Sequence, residues 1–75
     1  MNFSEAFKLL QEGKKIKRKS WKGYWHKEKD IYSKEGKDTV HMYCKDGRVL
    51  DIRDTQDVMF TLRNMAENDW EIVEW

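Results

Sequence analysis

The chain has 75 residues, one cysteine, no proline and a formal net charge of +1 at pH 7. That length allows one small domain spanning residues 1–75, in which burial of roughly 60% of the unfolded surface gives a core worth only a few kcal/mol. One cysteine excludes an internal disulfide and a four-cysteine metal site, and no apolar run reaches the ~20 residues of a membrane span or has the form of a secretory leader.

The charge is divided along the chain. Residues 1–30 carry nine basic and four acidic side chains, a net +5, whereas residues 31–75 carry six basic and ten acidic, a net −4. Such asymmetry predicts a positive and a negative face, or self-association between them. Four tryptophans, three tyrosines and three phenylalanines argue against disorder, because disordered chains are poor in aromatics. The single cysteine fits a reducing cytoplasm.

Residues 3–12, FSEAFKLLQE, predict a short helix. Asn2 or Ser4 caps it, with Glu5 at capping-box distance from Asn2. Phe3, Ala6, Phe7 and Leu10 form one apolar stripe, and Gly13 stands where a left-handed C-terminal cap belongs. At three turns this helix needs a docking surface to persist.

Residues 14–25, KKIKRKSWKGYW, hold six cations and three large rings. A strand over 14–21 turns Ile16 to the core. If it is regular, Lys15, Lys17, Lys19 and Trp21 share the opposite face; a bulge near Ser20 moves Trp21 to the core side. Gly23 marks a turn. Residues 24–38 are strongly polar and predict a loop or a short edge strand.

The segment 39–53, TVHMYCKDGRVLDIR, alternates Val40, Met42 and Cys44 against His41, Tyr43 and Lys45. Asp46-Gly47 follows, the pair favoured in a two-residue type I′ hairpin. Residues 54–60 are a connection, and 61–68 predict a helix capped by Thr61 with Leu62, Met65 and Ala66 inward. The closing segment DWEIVEW predicts a strand whose acidic residues lie beside the lysines of 14–19, bringing the chain ends together and closing the sheet. The expected class is α+β: a small antiparallel sheet with an N-terminal helix and a short second helix.

Catalytic and metal chemistry find little support. His26 and His41 match no zinc spacing. His41 and Cys44 fall on opposite faces of a strand, which leaves Cys44 as a small core residue. There is no glycine-rich phosphate loop and no nucleophile elbow, so neither an enzyme nor a cofactor is expected. Lysines and arginine suit phosphates, and Trp21, Tyr24 and Trp25 offer faces on which a base stacks, worth roughly 1–3 kcal/mol each. Against that, lysines also guard edge strands and tryptophans also fill small cores.

MNFSEAFKLLQEGKKIKRKSW followed by a glycine, together with the terminal ENDWEIVEW, resembles a short phage and prophage domain family associated with the second type of Thoeris anti-defence protein. The resemblance is strong over 1–23 and 66–73 and moderate over the 39–53 hairpin. It is weak over 24–38, where the charged HKEKDIYSKEGKD replaces a longer apolar strand and loop. It implies a non-enzymatic sponge that forms dimers or tetramers in the bacterial cytoplasm and sequesters a cyclic ADP-ribose-type or other cyclic nucleotide signal. Carried over by position, Phe7, Trp21, Asp69 and Trp70 are the implied ligand residues. Trp25 joins them as a stacking ring, and Lys17, Arg18 and Lys19 as phosphate partners on chemical grounds. Two alternatives stay open: an inhibitor of a host defence protein, as anti-CRISPR proteins are, and a single-stranded nucleic-acid binder. The near-zero net charge disfavours the second.

Overall fold

A computed structural model describes residues 1–74, so Trp75, the last residue of the expected closing segment, lies outside the described residues. Helix α1 spans Phe3–Gln11, and strands β1 (Lys15–Arg18), β2 (Tyr24–Lys29), β3 (Asp38–Tyr43) and β4 (Val49–Asp51) follow. A 3-10 turn at Ile52–Asp54 leads to helix α2 (Val58–Met65) and strand β5 (Trp70–Val73). All pairings are antiparallel, in the order β4-β3-β2-β1-β5. The α+β class therefore holds. The sheet stays open, with β4 and β5 as its two edges, so the last strand does not close it.

Helix α1 forms as its sequence dictates. The Asn2 side chain accepts from the Glu5 amide at 2.9 Å, and Glu5 accepts from the Asn2 amide at 3.3 Å. Gly13, at φ +93°, ends the helix in the left-handed conformation that glycine adopts without a steric penalty. Ala6 and Leu10 are buried and join Ile16, Trp25 and Trp70 as the core. Phe3 packs edge-on to Trp70 at 5.1 Å. Phe7 does not follow the rest of the stripe; it is 44% exposed.

Strand β2 is the main departure from expectation. Residues 24–29 form a strand in the middle of the sheet, between β1 and β3. Only Trp25 supplies apolar burial there, so its hydrophobic pattern is nearly blank. Cross-strand pairs supply what burial does not. Tyr24 stacks on Tyr43, its register partner, with ring centres 4.7 Å apart. Glu28 accepts from the Tyr43 hydroxyl at 2.7 Å and lies 2.9 Å from His26 Nδ1. The Lys27 ammonium donates to the Gln11 carbonyl at the C-terminus of α1, where a cation is favoured.

The β3–β4 hairpin is present, but its turn is not type I′. That type needs positive φ at both central residues, and in this region only Gly47 has it, at +90°. The Gly47 amide donates to the Cys44 carbonyl, and the Cys44 amide to the Arg48 carbonyl. This makes a longer turn ending in a left-handed glycine.

At the C-terminus, Lys17 faces Glu71 across β1 and β5 and pairs with it at 3.0 Å. Met1 and Trp70 exchange two main-chain hydrogen bonds, which brings the N-terminus to the start of β5. Because β4 and β5 lie at opposite edges, the connection carrying α2 must cross the core face of the sheet. Helix α2 also differs from expectation. Asp57 caps it by accepting from the Phe60 amide at 2.9 Å, so it starts at Val58, three residues before the expected Thr61. Thr61 and Asn64 point inward, Met65 is half-buried, and Leu62 and Ala66 are exposed.

Candidate ligand-binding site

Strand β1 ends at Arg18 because the chain turns there. The Trp21 amide donates to the Arg18 carbonyl at 2.9 Å. The Lys17 ammonium donates to the carbonyls of Arg18, Lys19 and Trp21, most closely to Trp21 at 2.8 Å. This turn, rather than a bulge, swings Trp21 off the lysine face. Its ring packs against Trp70 at 5.2 Å and Trp25 at 5.6 Å, and remains only half-buried.

Gly23 then brings the chain against the end of β3. A Cβ built at Gly23 collides with the Tyr43 carbonyl oxygen, so only glycine permits this approach. The result is a cleft of about 300 Å³ between the sheet and α2, at the lower end of the usual size for small-molecule sites. Trp21, Trp25 and Met42 line one side and Phe60, Thr61 and Asn64 the other; Tyr24, Tyr43 and Cys44 also contribute. Lys22 and Lys45 are exposed at its margin. Neither ammonium forms an ion pair among the described residues.

Helix α2 is fixed over this cleft by Asn64. Its Oδ1 accepts from Arg18 Nη1 at 2.7 Å, its Nδ2 donates to the Phe60 carbonyl, and its main-chain carbonyl accepts from the buried indole N–H of Trp70 at 2.9 Å. Arg18 also grips Asp69 with two bonds, of 2.7 and 3.1 Å. The hydrogen bond to Asp69 raises the guanidinium pKa further, and the same bond holds the Asp69 carboxyl below its ordinary range.

The expected ligand residues divide sharply. Trp21 and Trp25 reach the cleft, although Trp25 is only 5% exposed and offers little more than an edge. Trp70 is 1% exposed, with its N–H already bonded, so it is core and presents no face to a ligand. Arg18 bonds both Asp69 and Asn64, so this pair serves to hold α2 in place. Lys17 is occupied by the turn and by Glu71. Lys19 is exposed, and its main-chain amide donates to the Asp69 carbonyl. Phe7 lies away from the cleft, stacked on Phe3 at 6.0 Å and lining a separate groove with Lys27 and Val40. Cys44, expected in the core, is half-buried at the cleft.

The sequence reading missed Met42, Tyr43, Phe60, Thr61, Asn64, Lys22 and Lys45 as cleft residues. The glycine of the WKGYW stretch, which sets the approach of Tyr43, was the available clue to part of this set. On the opposite, helix-free face of the sheet, the bond to Glu28 pushes the Tyr43 hydroxyl up to about 12, and His26 and Tyr43 hold the Glu28 carboxyl low. Among the described residues no group of histidine, cysteine and carboxylate side chains converges to hold a metal ion. No helix there is long and apolar enough to cross a membrane.

The family model for the Thoeris anti-defense 2-like domain (Tad2-like) matches residues 1–73. The match includes the charged segment 24–38, over which the resemblance had been weak. No curated protein matches the chain.

Proposed function

The chain belongs to the Tad2-like family of Thoeris anti-defense 2-like domains, and from that premise we propose that it binds and sequesters a cyclic ADP-ribose-type or related cyclic nucleotide signal without catalysis. The setting of this action is the cytoplasm of the infected bacterium, and the binding species is a self-associated form of the chain.

One observation carries this reading: a half-buried tryptophan, Trp21, opens onto a cleft with Lys22 and Lys45 at its margin, neither in an ion pair among the described residues. A purine stacks on the indole, a contact worth roughly 1–3 kcal/mol. Phosphates meet the ammonium groups through charge-assisted hydrogen bonds. Thr61 and Asn64 add polar atoms on the α2 side, the sparse polar lining that orients a ligand in an otherwise apolar site. On this proposal the bound molecule is held and released unchanged.

The test is calorimetry against cyclic ADP-ribose isomers and cyclic di- and trinucleotides, followed by recovery of the ligand after heat denaturation of the protein. The proposal expects a saturable heat with at least one of these compounds and return of that compound intact. No heat with any of them at high protein concentration, or recovery of a hydrolysed product, overturns it.

A further inference from the structure

The end of helix α1 is held by two neighbouring side chains of β2, which alternate between the two faces of the sheet. On the helix side, the Lys27 ammonium donates to the Gln11 carbonyl at 2.8 Å. On the helix-free side, His26 Nε2 lies 3.1 Å from the Gly13 carbonyl and His26 Nδ1 lies 2.9 Å from Glu28 Oε1. A carbonyl only accepts. Glu28 only accepts as well, because its Oε1 also takes the Tyr43 hydroxyl at 2.7 Å, and His26 and Tyr43 hold its carboxyl below the ordinary range. A neutral imidazole has one N–H and one lone pair. It serves one of these acceptors and turns its lone pair on the other. Only the imidazolium, with two N–H groups, satisfies both.

We infer that His26 is a proton-operated latch on the end of α1: as imidazolium it ties the Gly13 carbonyl to the sheet, and as neutral imidazole it releases that carbonyl while keeping Glu28. The carboxylate keeps its bond because a hydrogen bond to an ionised acceptor is stronger than one to a carbonyl. The released carbonyl belongs to the peptide unit whose N–H, that of Lys14, donates to the Leu9 carbonyl at 3.0 Å. That bond closes the helix beyond the left-handed Gly13, so its loosening opens the last turn of α1.

The other groups around the ring have partners of their own. Lys15 on β1, one residue from the Ile16–Trp25 register pair, holds its ammonium over the Tyr24 ring at 5.2 Å. On β3, Tyr43 is bonded to Glu28, and His41, the register partner of His26, has its Nε2 3.9 Å from Asp51 on β4. Glu12 and Lys14 flank Gly13 and are exposed. Histidine is the side chain that ordinarily changes charge between about pH 5 and 8. The latch is therefore closed on the acid side of that range and open on the alkaline side. It lies on the sheet face opposite the cleft, so it is independent of the proposed nucleotide site.

The experiment is NMR of the full chain from about pH 5 to 8. The ring protons of His26 report its charge, and hydrogen exchange of the Lys14 amide, corrected for the intrinsic pH dependence of exchange, reports the helix end. Lys14 protection should fall by roughly three- to tenfold as pH rises, the loss of one hydrogen bond read as a local opening. The fall should follow the His26 titration. His26→Phe removes both donors at a half-buried position and should leave Lys14 weakly protected at every pH. His41→Gln removes the neighbouring titration and should leave the fall in place; this variant and the wild type decide the matter if His26→Phe does not fold. Wild-type Lys14 protection that does not change with pH, a fall that follows His41 instead, or a fall that persists in His26→Phe overturns the inference.

Discussion

The two helices of this domain are of similar length and both are capped by an acid or amide, yet they face the sheet in opposite senses. Helix α1 buries Ala6 and Leu10 and exposes its polar residues, so its stability and that of the core are one quantity. Helix α2 buries Thr61 and Asn64 and exposes four large apolar residues. It is attached by hydrogen bonds to Arg18 and Trp70, with Met65 as its apolar contact to the core. The contrast shows how so short a chain divides its labour. One helix completes the core, and the other walls a cleft and carries apolar surface outward.

The contrast breaks if the two helices respond alike to matched changes. Leu10→Ala should have the largest effect, destabilising the fold by about 2–5 kcal/mol, enough to unfold much of so small a domain; chemical denaturation measures it. The equivalent change outside, Leu62→Ala, should shift dilute-protein stability by no more than about 0.5 kcal/mol, and a loss as large as that of Leu10→Ala would break the comparison. Asn64→Ala lies between them. It leaves one Arg18 N–H without its partner and should cost about 1–2 kcal/mol. Hydrogen exchange should then accelerate over residues 58–65 while α1 keeps its protection; uniform acceleration would contradict a separately attached α2.

The helix caps should show smaller effects. Asn2→Ala and Asp57→Ala each remove an N-cap worth about 1 kcal/mol. The first should lower global stability, because α1 is core, and the second should fray α2 alone; amide exchange distinguishes them. The smallest effect is on pH dependence. The Asp69 carboxyl is held low in the folded state by Arg18. Its contribution is therefore present above the ordinary carboxylate range and is lost as pH falls through the lowered value. Acid should loosen residues 58–69 before α1, and Asp69→Asn should remove that order. The Tyr43 proton works in the opposite direction. Its pKa is raised to about 12, so its contribution is full below the ordinary tyrosine value near ~10 and is lost between there and about 12. The late step in tyrosinate absorbance should disappear in Tyr43→Phe.

Much of the fold was legible because several elements obey local rules. Asn2 and Glu5 name a capping box, Gly13 a left-handed stop, Ile16 a core position, and Lys17 with Glu71 a cross-strand ion pair. Strand β2 was not legible. Its stability comes from the Tyr24–Tyr43 stack and the His26–Glu28–Tyr43 bonds, and these depend on Tyr43 of the partner strand, 15 to 19 residues away, rather than on its own pattern. Helix α2 misled for the opposite reason. Its apolar residues are easy to see, and periodicity assigns them to a core that they do not face. The candidate site was half visible. Trp21 and Trp25 stand out in composition, but the turn that redirects Trp21 depends on Lys17 gripping three carbonyls. Arg18, chemically a phosphate partner, is taken by Asp69 and Asn64 across more than forty residues of chain.

On the proposed function, the cleft beneath α2 binds a cyclic nucleotide through the Trp21 ring and the marginal lysines. Isothermal titration of the wild type and of a Lys22→Glu/Lys45→Glu variant with cyclic ADP-ribose isomers tests it most directly. Both substitutions are at exposed positions, so the fold should survive. The proposal expects saturable binding by the wild type to one isomer and a loss of at least about tenfold in the variant, the equivalent of ~1.4 kcal/mol. Binding of equal strength in both proteins, or none in the wild type, would contradict it.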